Sequence, residues 1–376
     1  MGDRIPEGWR ECKLGEVAEI NRNSIGNEYL QKKILYLDTS SIIRGKINCY
    51  QKFLLSDAPS RAKRLVKDKD IIYSTVRPIQ RHYGIIKNPP QNLVVSTGFA
   101  VIETNQKKAD SVFIYYFLTS DEIVEYLDVI AEASTSAYPS LRPSDIENLD
   151  ILLPPLPEQR AIASVLSSLD DKIDLLNREN KTLEQIAESL FRQWFIEEAD
   201  EEWETGLLGD FVNMVYGKNL LTKNLKNSGY PVFGGNGQIG FFDKYIYEKP
   251  QVLVSCRGEA SGTVNVSLPK SFVTNNSLIL EINKREEVTF EYLKYYALNT
   301  DFKMYVSGSA QPQITITDLY AAGFVLPDRK IIDYFSDIVR ICESKMTNNR
   351  SQLRTLEKLR DTLLPKLMSG EVRVEI

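Results

Sequence analysis

The chain has 376 residues, with 43% hydrophobic and 26% charged side chains and a formal net charge of −5, which suits a globular protein of two or three domains. No apolar run approaches the roughly 20 residues that a membrane span needs, and the first residues lack the apolar core of a signal peptide, so a cytoplasmic protein is expected. The four cysteines stand far apart without a CxxC pair and His82 is the only histidine, which leaves almost no material for zinc sites or for Ser–His and Cys–His catalysis.

Charge is distributed unevenly along the chain. Residues 44–87 contain 11 Lys and Arg against 3 Asp and Glu, a local charge of +8, whereas residues 156–205 contain 5 against 13. Binding to nucleic acid requires a positively charged stripe on the surface, not a positive net charge of the whole chain. The segment 44–87 is therefore compatible with a DNA footprint, although the net charge of the chain is negative. The alternative is a solvated loop face.

The sequence contains an internal repeat. Its paired segments, in chain order, are 8–20 with 202–214, 84–103 with 262–281, 113–118 with 292–298, and 136–154 with 309–327. The first pair shares an LGE or LGD core, and the last pair has an offset of 173 that continues into the segments that follow. Because the matches are collinear, the sequence predicts one mixed α/β domain followed by one long helix, used twice.

Four segments follow from this repeat. They are a first domain at 1–155, a long helix at 156–200, a second domain at 201–327 and a second long helix at 328–376. The fold class is therefore α+β, with two mixed domains in tandem separated by long helices.

Within each domain, short β-rich runs alternate with turns. Runs at 71–76, 93–103 and 251–256 predict strands, and amphipathic helices are predicted near 110–128 and 288–302. Mixed sheets with flanking helices are the expected architecture.

The long helices each carry an apolar seam at heptad spacing. The first helix begins near Pro157 and Glu158, both favourable at a helix start, and the second ends near Gly370. The seams predict an antiparallel coiled coil, a rod of roughly 55–60 Å with one domain at each end. Asn180 either fixes the register of this pairing or is a tolerated polar residue. The predicted seam positions are Leu169, Ile173, Leu176, Asn180, Leu183, Ala187, Leu190 and Trp194 in the first helix, and Cys342, Met346, Asn349, Leu353, Leu356, Arg360, Leu363 and Leu367 in the second.

Several fragments imitate catalytic motifs. The tetrapeptide at 88–91 resembles a methyltransferase motif without its final aromatic residue, and the glycines at 235–240 form GxGxxG between strand-like flanks, which favours a β-loop. Pro327–Asp328 with Glu343 and Lys345 has the letters of a nuclease site, but Glu343 and Lys345 lie along one predicted helix. No P-loop is present. No catalytic residue and no metal site are therefore expected.

Three longer stretches resemble one known family. LPPLPEQRAIASVLSSLDDKIDLLNRENKTLEQIAESLFRQWF at 153–195 looks like the central conserved region of Type I restriction–modification specificity subunits. YPVFGGNGQIGFFDKY at 230–245, followed by VLVSCRGEASGTVNV at 252–266, is similar to a common target-recognition pattern, and LRTLEKLRDTLLPKLMSGEVRV at 353–374 resembles the C-terminal conserved region. The first repeat lacks the GGNG loop.

The resemblance implies a protein that binds double-stranded DNA and docks other subunits. Each domain would read one half of a bipartite site, and the helices would serve as ruler and as docking surface for two methyltransferase subunits, joined by restriction–translocase subunits. S-adenosylmethionine, ATP and Mg²⁺ would bind those partners, so no cofactor is expected on this chain. Two rivals remain: a stand-alone DNA-binding or antirestriction protein of the same fold, and an autonomous methyltransferase with a diverged cofactor site.

The candidate DNA contacts are polar residues in loops that border the predicted strands. Arginine and glutamine can make paired hydrogen bonds to base edges, and lysine can contact phosphates. Each candidate has an alternative as a solvated loop residue. They are Arg77, Gln80, Arg81, Tyr83 and Arg142 in the first domain, and Lys218, Asn236, Gln238, Lys244, Arg257 and Ser261 in the second.

Overall fold

The computed structural model describes residues 5–26, 28–133, 140–283, 287–308 and 311–375. The parts of the predicted repeat at 136–139 and 309–310 lie outside these ranges. Residues 1–175 together with 352–376 form unit 1, and residues 176–351 form unit 2.

The first repeat contains strands, two adjacent helices, a one-turn helix and a long helix. Its strands are β1 Arg10–Lys13, β2 Ala18–Ile20, β3 Lys33–Leu37, β4 Ile42–Ile43, β5 Lys46–Ile47, β6 Gln51–Leu54, β7 Ala62–Leu65, β8 Ile71–Ser74, β9 Tyr83–Ile85, β10 Leu93–Ser96, β11 Phe99–Thr104 and β12 Asp150–Leu153. Its helices are α1 Ser111–Thr119, α2 Asp121–Glu132, α3 Pro143–Glu147 and α4 Leu156–Arg192.

Two four-stranded sheets form the centre of unit 1. One is antiparallel in the order β2-β11-β8-β9, and the other has the order β6-β3-β10-β7 with β3 and β10 parallel. Strand β8 is buried along its whole length because both faces of its sheet are covered. Ile71 and Tyr73 face one hydrophobic core, whereas Ile72 between them belongs to another, as the two-residue period of a strand requires.

The second repeat has the same order of elements in a shorter form. Its strands are β13 Glu204–Leu207, β14 Val212–Tyr216, β15 Tyr230–Gly234, β16 Gly237–Phe242, β17 Val252–Ser255, β18 Val264–Val266, β19 Phe272–Val273, β20 Ser277–Ile282 and β21 Gly323–Leu326. Its helices are α5 Leu208–Phe211, α6 Phe290–Asn299, α7 Ile316–Tyr320 and α8 Arg329–Ser369.

The sheets of unit 2 repeat the strand order of unit 1, except that β7 has no counterpart among the described strands of unit 2. The order β14-β20-β17-β18 matches β2-β11-β8-β9, and β16-β15-β19 matches β6-β3-β10 with the same parallel pair. The pairing of β1 with β12 recurs as β13 with β21. The predicted α+β fold with two mixed domains in tandem is confirmed. The hairpin β4–β5 of unit 1 has no counterpart among the described residues between β15 and β16, where only Gly235 and Asn236 intervene.

Helices α4 and α8 run antiparallel within each unit. In unit 1, Asp170 pairs with Arg360 at 3.0 Å, and Glu158 near the start of α4 pairs with Arg373 just after α8. In unit 2, Asn349 Nδ2 donates to Asn180 Oδ1 at 3.0 Å. The predicted seam side chains are all buried or half-buried along both helices.

One predicted helix is divided in two, and the long first helix changes geometry near its predicted end. The helix expected near 110–128 is broken at Ser120, whose extended backbone and hydroxyl bond to the Phe117 carbonyl end α1 and start α2. Helix α4 gives way after Arg192 to a π-helical turn over Gln193–Glu197, where Phe191 and Phe195 both turn into the core of unit 2.

Cys12, Cys256 and Cys342 are buried thiols and Cys49 is exposed; all four are free. Burial raises the pKa of the three buried thiols, which disfavours their thiolates. Within the described ranges, no helix has the length and apolarity that crossing a membrane demands.

Candidate nucleic-acid interface

Residues 75–82, between β8 and β9, form a surface loop that we call loop 1. Its first residue is anchored twice: Thr75 N–H donates to the Gly98 carbonyl at 2.9 Å, and the Thr75 carbonyl accepts from Leu141 N–H at 2.8 Å. The Ile79 N–H donates to Asp128 Oδ1 of α2 at 3.0 Å. Loop 1 is therefore held by the turn between β10 and β11, by α2 and by the segment that precedes α3.

Arg77 and Arg81 flank the short 3-10 turn of loop 1 in an unusual conformation. Their φ angles are +47° and +59°, in the left-handed region that residues with a Cβ rarely adopt. Such backbone strain is characteristic of functional loops. The side chains of Arg77 and Gln80 are exposed, as a DNA contact requires.

The Arg81 side chain is bonded to other groups of the protein, although the sequence suggested a DNA contact. Its Nη1 lies 2.7 Å from Asp121 Oδ1, and the side chain is 17% exposed. Burial lowers the pKa of the guanidinium, but the hydrogen bonds to Asp121 and Tyr83 outweigh burial and raise it above its ordinary value. Arg81 therefore orders loop 1 against α2 rather than projecting into solvent.

Tyr83 is a core residue, which corrects its assignment as a surface contact. Its side chain is 5% exposed and stacks on Tyr73 with ring centroids 5.7 Å apart. The alternation of β9 turns this ring toward the core, because the neighbouring positions of a strand face opposite sides.

Arg142 lies on the same surface as loop 1. The preceding residue, Leu141, bonds to Thr75, and Ser140 forms a bridge to Val76. The Arg142 side chain is exposed at the start of α3. Arg61, which the sequence analysis did not single out, joins this surface through its carbonyl, which accepts from Thr97 N–H at 2.8 Å. The charge of +8 over 44–87 was the signal that could have found it.

Residues 256–263, between β17 and β18, form the corresponding loop 2 of unit 2. The Cys256 N–H donates to the Asn276 carbonyl at 2.9 Å, and the Cys256 carbonyl accepts from Ile314 N–H at 3.1 Å. Arg257 forms a bridge to Gln313, just as Val76 does to Ser140 in unit 1. The two loops are therefore structurally equivalent.

The side chains of Arg257 and Ser261 differ in their exposure to solvent. The Arg257 side chain is exposed at the start of loop 2. Ser261 is 3% exposed, and its hydroxyl donates to the Pro312 carbonyl at 3.1 Å, so it closes loop 2 internally and is not a surface contact. At the adjacent Gly262, with φ +86°, an added Cβ would lie 2.8 Å from the Lys303 nitrogen, so glycine permits this close approach.

The hairpin tip between β15 and β16 lies beside loop 2. Ser255 donates its hydroxyl to the Gly235 carbonyl, and Ser277 donates to the Gly234 carbonyl at 3.1 Å. Asn236 and Gln238 are exposed at this tip. The predicted β-loop over 235–240 is thus a hairpin, and its Gly235 lies near the Arg257 backbone.

Lys218 reaches the same surface from β14, whereas Lys244 does not. The Lys218 N–H donates to the Val273 carbonyl at 2.9 Å and its carbonyl accepts from Asn275 N–H at 3.1 Å. Asn276, exposed next to Asn275, is a polar residue of this surface that the sequence analysis missed. Lys244 follows the opposite end of β16, roughly 20 Å along the strand from the tip, so the structure does not bring it to loop 2.

The fragment that imitates a nuclease site has two of its residues on one helix. Glu343 and Lys345 both lie on α8, and Glu343 accepts a hydrogen bond from Lys294 of α6 at 2.7 Å. Over the described residues, no three His, Cys, Asp or Glu side chains are placed to hold a metal ion.

Comparison with known proteins gives one consistent family. The model for the Type I restriction modification DNA specificity domain matches residues 6–185 and 200–353. The specificity subunit of the HindI Type I restriction enzyme from Haemophilus influenzae is 34% identical over 190 residues, which cover 50% of this chain and 41% of that subunit. The MjaIX specificity subunit from Methanocaldococcus jannaschii is 26% identical over 99% of this chain and 95% of its own length.

A solved structure agrees at the level of the fold. The crystal structure of a Type I restriction–modification S subunit from M. genitalium superposes with a TM-score of 0.65 at 18% sequence identity, covering 98% of each chain.

Proposed function

Because the chain belongs to the Type I restriction modification DNA specificity family, we propose that it is the subunit that reads the DNA target of a Type I restriction–modification complex. It supplies sequence recognition and contributes no catalytic centre. The target is bipartite, with residues 1–155 reading one half-site and 201–327 the other.

The equivalence of loops 1 and 2 is the observation that supports this proposal most. Two domains of one fold present corresponding loops, each fixed by the same pair of backbone hydrogen bonds and each exposing an arginine. The loops differ in sequence, with Val76–Arg77 in one and Arg257–Gly258 in the other at corresponding positions. Similar frames with different side chains suit an asymmetric two-part site.

The partners follow from the same role. We propose that the helices at 156–200 and 328–376 dock two methyltransferase subunits, and that restriction–translocase subunits join them in the cytoplasm. S-adenosylmethionine, ATP and Mg²⁺ then bind to those subunits and not to this chain. The acidic segment 156–205 fits a protein-facing surface because it would repel phosphates.

The test is a map of methylated bases across the genome of a host with and without this gene. A bipartite motif with two fixed halves and an unread spacer is expected only when the gene is present. If no motif depends on the gene, the proposal is wrong.

The two rivals give different outcomes in purified protein. A stand-alone DNA-binding protein would not co-purify with a methyltransferase subunit, and an autonomous methyltransferase would bind S-adenosylmethionine in equilibrium dialysis of the isolated chain. We expect co-purification and no binding.

A further inference from the structure

The hairpin β4–β5 of unit 1, residues 42–47, has a basic tip. Its two strands are joined by Arg44 and Gly45, whose φ angles of +47° and +77° form a tight turn of the type that matches the twist of a two-stranded hairpin. Arg44 and Lys46 are exposed on either side of Gly45. Among the described residues, neither side chain has an ion-pair partner.

The hairpin is fixed rigidly to the strand that follows loop 1. The Arg44 N–H donates to the Arg81 carbonyl at 2.8 Å, and the Gly45 N–H donates to the Tyr83 carbonyl at 2.7 Å. His82 Nδ1–H donates to the Ile42 carbonyl at 2.6 Å, which gives the single histidine a positioning role. The tip therefore moves with loop 1.

Close packing secures the base of the hairpin. Ile42 is 1% exposed in the core beneath it. An added Cβ at Gly84 would lie 2.6 Å from Ile42 Cδ1 and 3.3 Å from Gly45 Cα, so glycine in β9 allows the hairpin to approach. A buried base with an exposed, charged tip is an arrangement that presents the tip to a ligand.

The backbone conformation of Arg44 is unusual for its residue type. This turn position favours asparagine, aspartate or glycine, because φ is positive there. An arginine is strained in that conformation, and backbone strain of this kind clusters at functional sites. Arg44 shares the left-handed conformation with Arg77 and Arg81 of loop 1, to which it is hydrogen-bonded through Arg81.

We propose that the hairpin 42–47 is an additional DNA-contacting element in which Arg44 and Lys46 bind backbone phosphates next to the half-site read by loop 1. This inference rests on the proposed function. Phosphate contacts fix the position of a protein on the duplex without reading sequence, and free cationic side chains on a rigid frame suit that role. Since β15 and β16 are joined by only Gly235 and Asn236, the described residues of unit 2 contain no hairpin at the equivalent position.

The experiment measures DNA binding by the chain assembled with its methyltransferase partner. A duplex carrying the mapped motif is titrated at salt concentrations between about 50 and 200 mM, the range over which ionic contacts change affinity strongly. The test variant is R44A/K46A. The control variant K32A/K33A removes the same charge from two exposed lysines at the start of β3, and R257A tests loop 2.

We expect R44A/K46A to reduce the slope of log K against log salt by about two units, since each lost phosphate contact contributes about 0.9. The methylated motif should stay the same, and phosphate-ethylation interference should lose contacts beside one half-site only. The K32A/K33A variant should keep the full slope.

An unchanged slope for R44A/K46A alongside weakened binding by R257A would overturn this inference and leave the proposed function standing. The inference would also fail if R44A/K46A released the methyltransferase partner without changing the slope, because the tip would then bind protein. If no complex, unmodified included, bound the motif specifically, the proposed function itself would be wrong.

Discussion

At the scale of single residues, exposure separates side chains that can read DNA from those that hold the loops. Arg77 and Arg257 are exposed at the starts of equivalent loops, whereas Arg81, Tyr83 and Ser261 are used inside the protein. The first two are therefore the residues to test as contacts.

We predict that Arg77→Ala and Arg257→Ala each weaken binding through a different half-site. A paired contact to a base edge contributes about 1–3 kcal/mol, so each variant should relax the motif at one position. The measurement is base-methylation mapping with binding assays on duplexes altered in one half-site. If both variants relax the same half, the assignment of one loop to each half-site is wrong.

A buried carboxyl at the start of β8 makes the stability of unit 1 depend on pH. Asp70 is 3% exposed, and burial raises its pKa to about 6, although its carboxylate accepts a hydrogen bond from Lys67 N–H. The folded state therefore holds this proton more tightly than the unfolded state, and the contribution of Asp70 to the free energy of unfolding falls as pH rises from about 4 to about 6.

We predict that Asp70→Asn becomes increasingly stabilising relative to the unmodified chain over that pH window, by on the order of 2 kcal/mol at pH 7. Asparagine can still accept the bond from Lys67. Urea unfolding at several pH values measures the difference, and a difference independent of pH would show that Asp70 does not titrate in this way.

At the scale of elements, one polar layer interrupts the apolar seam of the long helices in unit 2. Asn349 is fully buried, and its Nδ2 donates to Glu179 Oε2 at 2.9 Å and to Asn180 Oδ1 at 3.0 Å. Its own Oδ1 is buried with no partner among the described residues. A buried asparagine of this kind can specify helix register at some expense of stability. This supports the interpretation that Asn180 fixes the register.

We predict that Asn349→Asp destabilises unit 2 by about 3–5 kcal/mol at pH 7, because a buried charge would face Glu179. The loss should shrink toward pH 5 as the introduced carboxyl becomes protonated. Asn348→Asp, on the exposed face of the same helix, is the matched control and should change the urea midpoint little. Equal effects of the two variants would mean that the polar layer contributes nothing specific.

At the scale of the whole molecule, the long helices are the elements whose length can be tested as a ruler between the half-sites. Helix α4 is continuous from Leu156 to Arg192 and contributes residues to both units. If it acts as a ruler, its length should set the number of unread base pairs between the half-sites.

We predict that inserting seven residues into both long helices, after Leu175 and after Ser351, lengthens the spacer by about three base pairs. Seven residues add about 10 Å of helix and preserve the heptad seam, and B-DNA rises 3.4 Å per pair along each strand. Both half-site sequences should be unchanged in the methylation map. Four residues inserted after Thr182 alone lengthen the first helix by about 6 Å, so the spacer should grow by roughly one to two base pairs, with the lower value expected because the second helix is unaltered. An unchanged spacer with full activity for the heptad variant would mean that the helices only dock partners.

The sequence by itself determined the repeat, the α+β class, the long helices and the seam side chains. These features depend on local periodicity: a heptad such as Leu169 to Leu190 places one side chain per turn on the same face whatever surrounds it. The resemblance of three long stretches to one family fixed the class of protein.

Only the tertiary structure decided which of the candidate contact residues are exposed and which are buried. Ser140 and Gln313 correspond at an offset of 173, but Val76 and Arg257 correspond at 181, because the domains differ in length between these points. Sequence alignment at one offset therefore misses the equivalence of loops 1 and 2. That equivalence depends on hydrogen bonds between segments distant in sequence, such as the bond between Thr75 and Leu141. Local sequence patterns do not predict such bonds. For the same reason Tyr83 was misjudged and Arg44 was not singled out: burial is set by what the rest of the chain places on top of a residue.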